Sequence, residues 1–201
     1  MSILALTSNT LIGTPAAGNL EYNGQFFGTD SAAARAQMQR ITQGTAVAST
    51  SGTSIDFTGL PAWVKKITVM FNAVSLSGAS TFRIQLGTGV TPTYTTSGYV
   101  TFGVTFAAAG LGAATDTGGF PIGQNQTAAG VTTYGGNCMI TNVTGNTWSY
   151  MAICGGSSTT NGGLLGGGSV PLGAVLTAVR VTTINGTDTF DAGSINILYE
   201  G

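Results

Sequence analysis

From Thr45 onward, apolar residues recur at every second position in several short segments, and that alternation constrains the fold more than any other feature. In the segment KKITVMFNAV, Ile67, Val69 and Phe71 fall on one face of an extended backbone. The segment TFRIQLG repeats the pattern between Phe82 and Leu86. About eight such segments, separated by clusters of Gly, Ser, Thr and Asn, predict a mainly β chain that folds as an antiparallel β-sandwich of the jelly-roll type.

The N-terminal part of the chain lacks this alternation and contains a hairpin signal instead. The Asn23-Gly24 pair in TPAAGNLEYNGQFFGT lies between the apolar-bearing stretches Leu20–Tyr22 and Gln25–Phe27. Asn-Gly favours a two-residue type I′ turn, because both central residues of that turn have positive φ. A lone two-stranded hairpin is marginally stable in water, so we expect a neighbouring surface to cover its aromatic side chains.

A short helix is predicted directly after the hairpin, in DSAAARAQMQRI. Asp30 is a typical N-cap residue, and alanines and other good helix formers follow it. Ala34, Met38 and Ile41 would share one face of this helix, which is too short to be stable alone. We therefore predict two domains: residues 1–42, with the hairpin and the helix, and residues 43–201, with the β-sandwich.

Two long segments, at about residues 107–136 and 155–171, are predicted to be loops between strands. The second segment is rich in Gly, Ser and Thr and is the most flexible part of the chain by composition. Loops of this length are generally either functional or ordered by a neighbour.

The two cysteines are placed by the register of a second predicted hairpin. A two-residue turn at Gly145–Asn146 would put Cys138 opposite Ile153, on an apolar face that also contains Met151. Cys154 would then point to the opposite face, and the two cysteines could not be bridged. A three-residue loop would instead place Cys138 opposite Cys154. We predict two free thiols.

Charged residues are few, and their scarcity excludes several classes of function. Six Lys and Arg residues and seven Asp and Glu residues give a net charge of −1, so a basic patch for nucleic acid is not expected. A net charge near zero also removes the repulsion that keeps monomers apart, which favours a protein held in an assembly. Neither a signal peptide nor an apolar run long enough to span a membrane is recognisable.

Histidine is absent from the chain, which excludes Ser-His-Asp and Cys-His catalysis and the usual zinc sites. We predict no metal, no cofactor and no enzymatic activity. The alternative is carboxylate chemistry: Asp188 and Asp191 are the nearest acidic pair for a glycosidase, and Asp116 begins an Asp-Thr-Gly triplet like that of aspartic proteases. Acidic turn formers in a hairpin loop explain the Asp188–Asp191 pair more simply.

Four aromatic residues are candidates for binding a ligand. They lie beside Asn, Thr and Ser, a mixture that suits the apolar faces and hydroxyl groups of sugars. The alternative is that they are core or subunit-interface aromatics. The four residues are Tyr94, Tyr99, Tyr134 and Trp148.

Four stretches of the chain carry a resemblance to a known family: TPAAGNLEYNGQFFGTD, AVASTSGTSIDFTGLPAWVKKITVMFNAVSLSGASTFRIQLG, TSGY and the closing GSINILYEG. In these stretches the chain resembles the tail-fibre and related virion structural proteins of tailed bacteriophages. The resemblance implies a β-sandwich knob that forms a homotrimer, displays loops to the host surface and attaches to the virion by its N-terminal element. The candidate attachment residues are Leu20, Tyr22, Asn23, Gly24, Phe26, Phe27 and Met38.

The absence of a shaft or coiled coil before the knob leaves two possible positions for the protein in the phage particle. The first is a short tail fibre that joins a tail or baseplate protein and binds a glycan or protein of the host surface. The second is a capsid head fibre or decoration protein with no receptor role. A carboxylate-based polysaccharide depolymerase is a third hypothesis. In each case we expect the protein to be assembled in the host cytoplasm and released in the virion by lysis.

Overall fold

The structure is a computed structural model, and it describes residues 13–14, 16–23, 25–32, 34–107, 110–123, 133–157 and 162–201. The chain divides into two compact units, Met1–Arg40 and Ile41–Gly201. Every regular element in the described part is a β-strand, and all strand pairs are antiparallel. The chain is therefore mainly β, as the alternation of its apolar residues predicted.

The N-terminal unit contains a three-stranded antiparallel sheet in the order β1-β2-β3. Its strands are β1 (Leu20–Tyr22), β2 (Phe26–Thr29) and β3 (Arg35–Gln37). The predicted hairpin is confirmed, since β1 pairs with β2. Tyr22 lies opposite Phe26, so the connection spans residues 23–25 rather than the predicted two-residue turn. Gly24 lies outside the described residues.

The predicted helix after Asp30 is wrong, because this segment forms a turn followed by β3. The Asp30 side chain accepts hydrogen bonds from the backbone N–H groups of Ala32 and Ala34, both at 2.9 Å. The Asp30 N–H donates to the Ala34 carbonyl oxygen at 3.0 Å. An Asp that caps a helix can equally close a turn, and a short isolated helix is less favourable than a strand that pairs with β2.

The described residues of the C-terminal unit form fourteen strands, numbered here along the chain. They are β4 (Ile41–Gln43), β5 (Val47–Ala48), β6 (Ser54–Thr58), β7 (Lys66–Leu76), β8 (Phe82–Thr88), β9 (Thr93–Tyr94), β10 (Val100–Ala107), β11 (Gly110–Ala113), β12 (Phe120–Pro121), β13 (Thr133–Thr144), β14 (Thr147–Ser157), β15 (Gly162–Pro171), β16 (Leu176–Thr183) and β17 (Phe190–Glu200).

These strands form two antiparallel sheets. The nine-stranded sheet has the order β11-β10-β15-β14-β13-β7-β17-β4, and β5 also pairs with β17. The five-stranded sheet has the order β12-β8-β16-β6, and β9 also pairs with β8. Because β4 pairs with β17, the C-terminal unit begins at Ile41, slightly before the predicted start at residue 43.

The predicted faces of β7 and β8 are confirmed. In β7, Ile67, Val69 and Phe71 are buried, and the residues between them are less so. In β8, Phe82 and Leu86 are fully buried. This period of two places one apolar face of each strand in the interior of the C-terminal unit.

Both sheets contribute to the same hydrophobic core, and aromatic rings join them. Phe82 of the five-stranded sheet lies 5.4 Å from Phe71, 5.3 Å from Tyr134 and 6.1 Å from Phe190, measured between ring centroids. All three partners belong to the nine-stranded sheet. A single ring therefore contacts three strands across the interior.

Strand β7 has an irregularity that requires a glycine in its neighbour. Ala73 has a φ of 51° and Gly193 in β17 has a φ of 92°. The register between the two strands shifts on both sides of Ala192. A Cβ atom at residue 193 would overlap the carbonyl oxygen of Ala73. Only glycine fits this position without moving one of the strands.

The prediction that residues 155–171 form a loop is wrong, because β15 is paired on both sides, with β10 and β14. Three of its glycines, at 163, 166 and 168, lie where neighbours approach closely: a Cβ at Gly163 would be 2.5 Å from Cζ of Phe106. At Gly166 it would overlap the hydroxyl of Tyr150. Cross-strand packing therefore outweighs the low β-propensity of this composition. The other segment that was predicted to be a loop, at about residues 107–136, also contains two short strands, β11 and β12.

Candidate assembly surfaces

The N-terminal sheet exposes an apolar face. Leu20, Phe26 and Met38 are 63%, 42% and 53% exposed. The register places them on one face with Tyr22, whose ring centroid is 5.0 Å from that of Phe26. Met38 continues this register because its N–H donates to the Phe26 carbonyl oxygen at 2.9 Å. We call Leu20, Tyr22, Phe26 and Met38 the N-terminal apolar face.

The opposite face of this sheet is polar. Arg35 of β3 donates two hydrogen bonds to the Glu21 carboxylate of β1, at 2.7 and 3.2 Å. Phe27, a predicted attachment residue, lies opposite Glu21 in the register and therefore on this polar face. Asn23, also predicted for attachment, lies in the connection between β1 and β2. The predicted attachment residues thus divide between two faces, and four of them form the apolar one.

Three of the four predicted receptor aromatics lie in the core. Tyr99, Tyr134 and Trp148 are 2%, 3% and 4% exposed. The Leu86 N–H donates to the Tyr99 hydroxyl at 2.8 Å, and burial raises the pKa of Tyr99 to about 12. These rings are occupied by core packing, whereas Tyr94 is only partly buried.

Tyr94 belongs to a charged cluster on the five-stranded sheet. The guanidinium carbon of Arg180 lies 3.9 Å from the Tyr94 ring centroid, and Arg180 donates two 2.7 Å hydrogen bonds to Asp56. Partial burial, followed by the negative charge of Asp56, raises the pKa of Tyr94 to about 12. The hydrogen bonds from Arg180 to Asp56 are the largest cause of the raised pKa of Arg180. This cluster is a cation–π and ion-pair arrangement that stabilises the sheet surface.

One extra residue near the end of β13 reverses the predicted faces of β14. The predicted turn at Gly145–Asn146 is present, but the register shifts at Val143, and Cys138 lies opposite Ala152 instead of Ile153. Because strand side chains alternate, a shift of one residue moves Met151 and Ile153 to the outer face. The prediction that these two residues share the face of Cys138 is wrong.

The same shift brings both cysteines to the inner face. Cys138 and Cys154 are buried there as free thiols. The prediction of free thiols is confirmed, but its premise that the two cysteines point to opposite faces is wrong. Burial raises the pKa of both thiols, that of Cys154 to about 12. Both are therefore protonated and unreactive at neutral pH.

The nine-stranded sheet exposes a second apolar surface on its outer side. Val104, Leu165 and Ile153 lie side by side on β10, β15 and β14, and Phe102 and Met151 flank Gly167 in the next row. Gly167 forms the floor of a groove of about 650 Å³. We define the outer apolar face as the exposed residues Val100, Phe102, Leu111, Met151, Ile153 and Leu165.

Sequence reasoning missed the outer apolar face. One signal was present in YVTFGVTF, where large residues alternate with Thr and Gly. The hydroxyl of Thr101 contacts the backbone of Asp116 through two hydrogen bonds, at 2.7 and 2.8 Å. Since the segment that contains Asp116 covers the inner side of β10, the side chains of Val100 and Phe102 point outward.

The acidic residues considered for catalysis are each held by neighbouring groups. Asp188 accepts a 2.8 Å hydrogen bond from the Ser80 N–H, and Asp191 accepts one from the Ser75 hydroxyl. Asp116 accepts hydrogen bonds from the Arg83 guanidinium group at 3.1 and 3.2 Å. A groove of about 460 Å³ beside Asp188 is lined by loop residues 79–81, 184 and 185, and not by Asp191.

Comparison of the chain with protein-family models, with curated protein sequences and with solved structures found no match. Within the described ranges, no group of three or more Cys, Asp or Glu side chains is arranged to hold a metal ion. The same part of the chain contains no helix long and apolar enough to cross a membrane.

Proposed function

We propose that this chain is a bacteriophage virion structural protein, similar to a short tail fibre. The N-terminal sheet attaches it to a tail or baseplate protein. The C-terminal unit is a β-sandwich knob that forms a homotrimer and presents loops to a glycan or protein of the host surface. No catalytic step belongs to this role.

The observation that carries the proposal is the N-terminal apolar face. It lies on a unit that is compact by itself, and three of its large apolar side chains are 42–63% exposed. A contiguous exposed apolar face on so small a sheet is typical of a surface that a partner covers. The bidentate Glu21–Arg35 ion pair supports the role, since it joins β1 to β3 and holds the sheet in shape.

Incorporation into particles tests this proposal. Virions assembled with Phe26→Glu are expected to contain at least tenfold less of the chain, because a charge at the centre of an apolar interface is costly to bury. Gln37→Glu is the matched control, since it adds the same charge at an exposed position on the polar face of the same sheet. Mass spectrometry of purified virions measures both variants. Equal incorporation, or absence of the wild-type chain from virions, refutes the proposal.

A capsid head fibre or decoration protein is the second candidate. The burial of Tyr99, Tyr134 and Trp148 favours it, because the predicted receptor aromatics then contribute to stability rather than to ligand binding. Immunogold labelling of particles distinguishes the tail from the capsid. Purified protein that labels host cells and blocks phage adsorption supports the fibre, whereas no inhibition at saturating concentration supports decoration.

A further inference from the structure

We propose that the outer apolar face binds a second copy of this chain and forms the subunit interface of the homo-oligomer. This inference adds a subunit interface to the proposed function, and its role in a virion rests on that proposed function. Self-association itself is tested on the purified protein and is independent of attachment to a particle.

The size of the face fits an interface between subunits. Its six side chains are 48–81% exposed. A fully exposed side chain of this kind offers roughly 60–120 Å² of apolar surface, so the six together present on the order of 400 Å². The largest apolar patch on a typical monomer is about 300–600 Å², and such a patch is often a functional surface. The area is close to the apolar half of a standard interface, to which each partner contributes roughly 800 Å².

The shape of the face is suited to pairing with itself. It combines a recess, the groove whose floor is Gly167, with protruding side chains. Leu111 is 81% exposed and Phe102 is 69% exposed. In a symmetric or cyclic oligomer the protruding side chains of one subunit enter the recess of another, so a single surface supplies both parts of the contact.

Strand β11 provides a second, independent observation at the same corner of the molecule. Among the strands of the described residues it is the outermost of the nine-stranded sheet beside β10, and all four of its residues are exposed. Its sequence, GLGA, contains neither a charge nor a proline. Edge strands of monomeric proteins are usually protected by Lys, Pro or a bulge, because their free backbone groups pair with other chains. Leu111 makes this edge continuous with the outer apolar face.

The electrostatics favour a second copy over other occupants. Neither the six face residues nor β11 includes a Lys or Arg residue, whereas an anionic lipid surface is recognised largely through basic side chains. The net charge of the whole chain is −1, so two copies repel each other only weakly. An uncharged apolar surface of this size is best matched by an identical surface.

Sedimentation velocity of the full chain over a range of concentrations tests the inference. The wild type is expected to sediment as an oligomer, and Phe102→Glu is expected to raise the dissociation constant between subunits at least about 100-fold. Leu111→Glu is a second variant at a more exposed position, in case the first disturbs folding. Circular dichroism verifies that each variant remains folded. A monomeric wild type, or an oligomer that both variants leave unchanged, overturns the inference.

Two controls separate this inference from the proposed function. Val90→Glu adds the same charge at a fully exposed position away from the face and should leave the oligomer intact. Phe26→Glu should also remain oligomeric, although it is expected to be lost from virions. If the oligomer dissociates on Phe26→Glu but not on Phe102→Glu, the N-terminal sheet holds the subunits together. That result overturns this inference and leaves the proposal of virion attachment standing.

Discussion

Replacing Phe82 with Ala is expected to destabilise the C-terminal unit by about 3–5 kcal/mol. The Phe82 side chain is fully buried, and its ring centroid lies within 6.1 Å of those of three other aromatic residues. Removal of its apolar surface from the core costs about 1.5–3 kcal/mol, and three lost aromatic pairs at about 0.5 kcal/mol each, the lower end of their range, bring the total to about 3–4.5 kcal/mol. Because the three partners lie on the other sheet, the variant measures how strongly the two sheets adhere.

Urea unfolding followed by tryptophan fluorescence measures this effect. Both tryptophans, Trp63 and Trp148, belong to the C-terminal unit, so the signal reports on that unit. The midpoint of thermal unfolding should fall by roughly 10 °C, since each kcal/mol corresponds to about 2–4 °C in a domain of this size. All variants are compared at one protein concentration, because subunit association contributes to the measured stability.

Phe26→Ala is the matched control, because it removes the same atoms from a partly exposed site in the N-terminal unit. It should leave the tryptophan transition unchanged. A loss of less than about 1.5 kcal/mol for Phe82→Ala would mean that its ring is not enclosed between the two sheets, and the reasoning about the core would fail.

Three further predictions concern the C-terminal unit. Gly193→Ala should destabilise the unit by more than about 3 kcal/mol, because the new Cβ would overlap the backbone of β7. Gly186 also has positive φ but has open space around it, so Gly186→Ala should cost only about 1 kcal/mol. Equal shifts of the two variants in thermal denaturation would refute the clash at residue 193. Burial raises the pKa of Tyr99 from 10.0 to about 12, so the unfolded state loses the phenolic proton first and the free energy of unfolding falls as pH rises between these values. Urea titrations across this range measure the fall, which Tyr99→Phe should reduce. Asp56→Asn breaks an ion pair with Arg180 in which both side chains are 32% exposed. Its cost should be below about 1 kcal/mol and should vanish at high salt, so a larger, salt-independent loss in urea titrations would contradict this estimate.

Local pattern was sufficient to predict the strands and their inner faces where apolar residues alternate without interruption. The faces of β7 and the pairing of β1 with β2 follow from period-two alternation and from the Asn23-Gly24 signal. These features depend on residues close together in the chain, so neighbouring side chains alone specify them.

Local pattern failed where the same residues are compatible with two structures. Asp30 followed by alanines suits both a helix start and a tight turn, and pairing with β2 decided for the turn. The glycines of β15 indicate a loop by composition, but close contacts with residues such as Phe106 and Tyr150 require glycine within a paired strand. In both cases the deciding contact comes from another strand.

The sequence by itself determined the mainly β character of the chain, its low charge and its lack of histidine. Only the tertiary structure decided which apolar residues are exposed. A single extra residue, Val143, shifts the register of β13 against β14 and turns Met151 and Ile153 to the outer side. Because strand side chains alternate with a period of two, one residue of register exchanges the buried and exposed faces. That exchange supplies two of the residues of the outer apolar face.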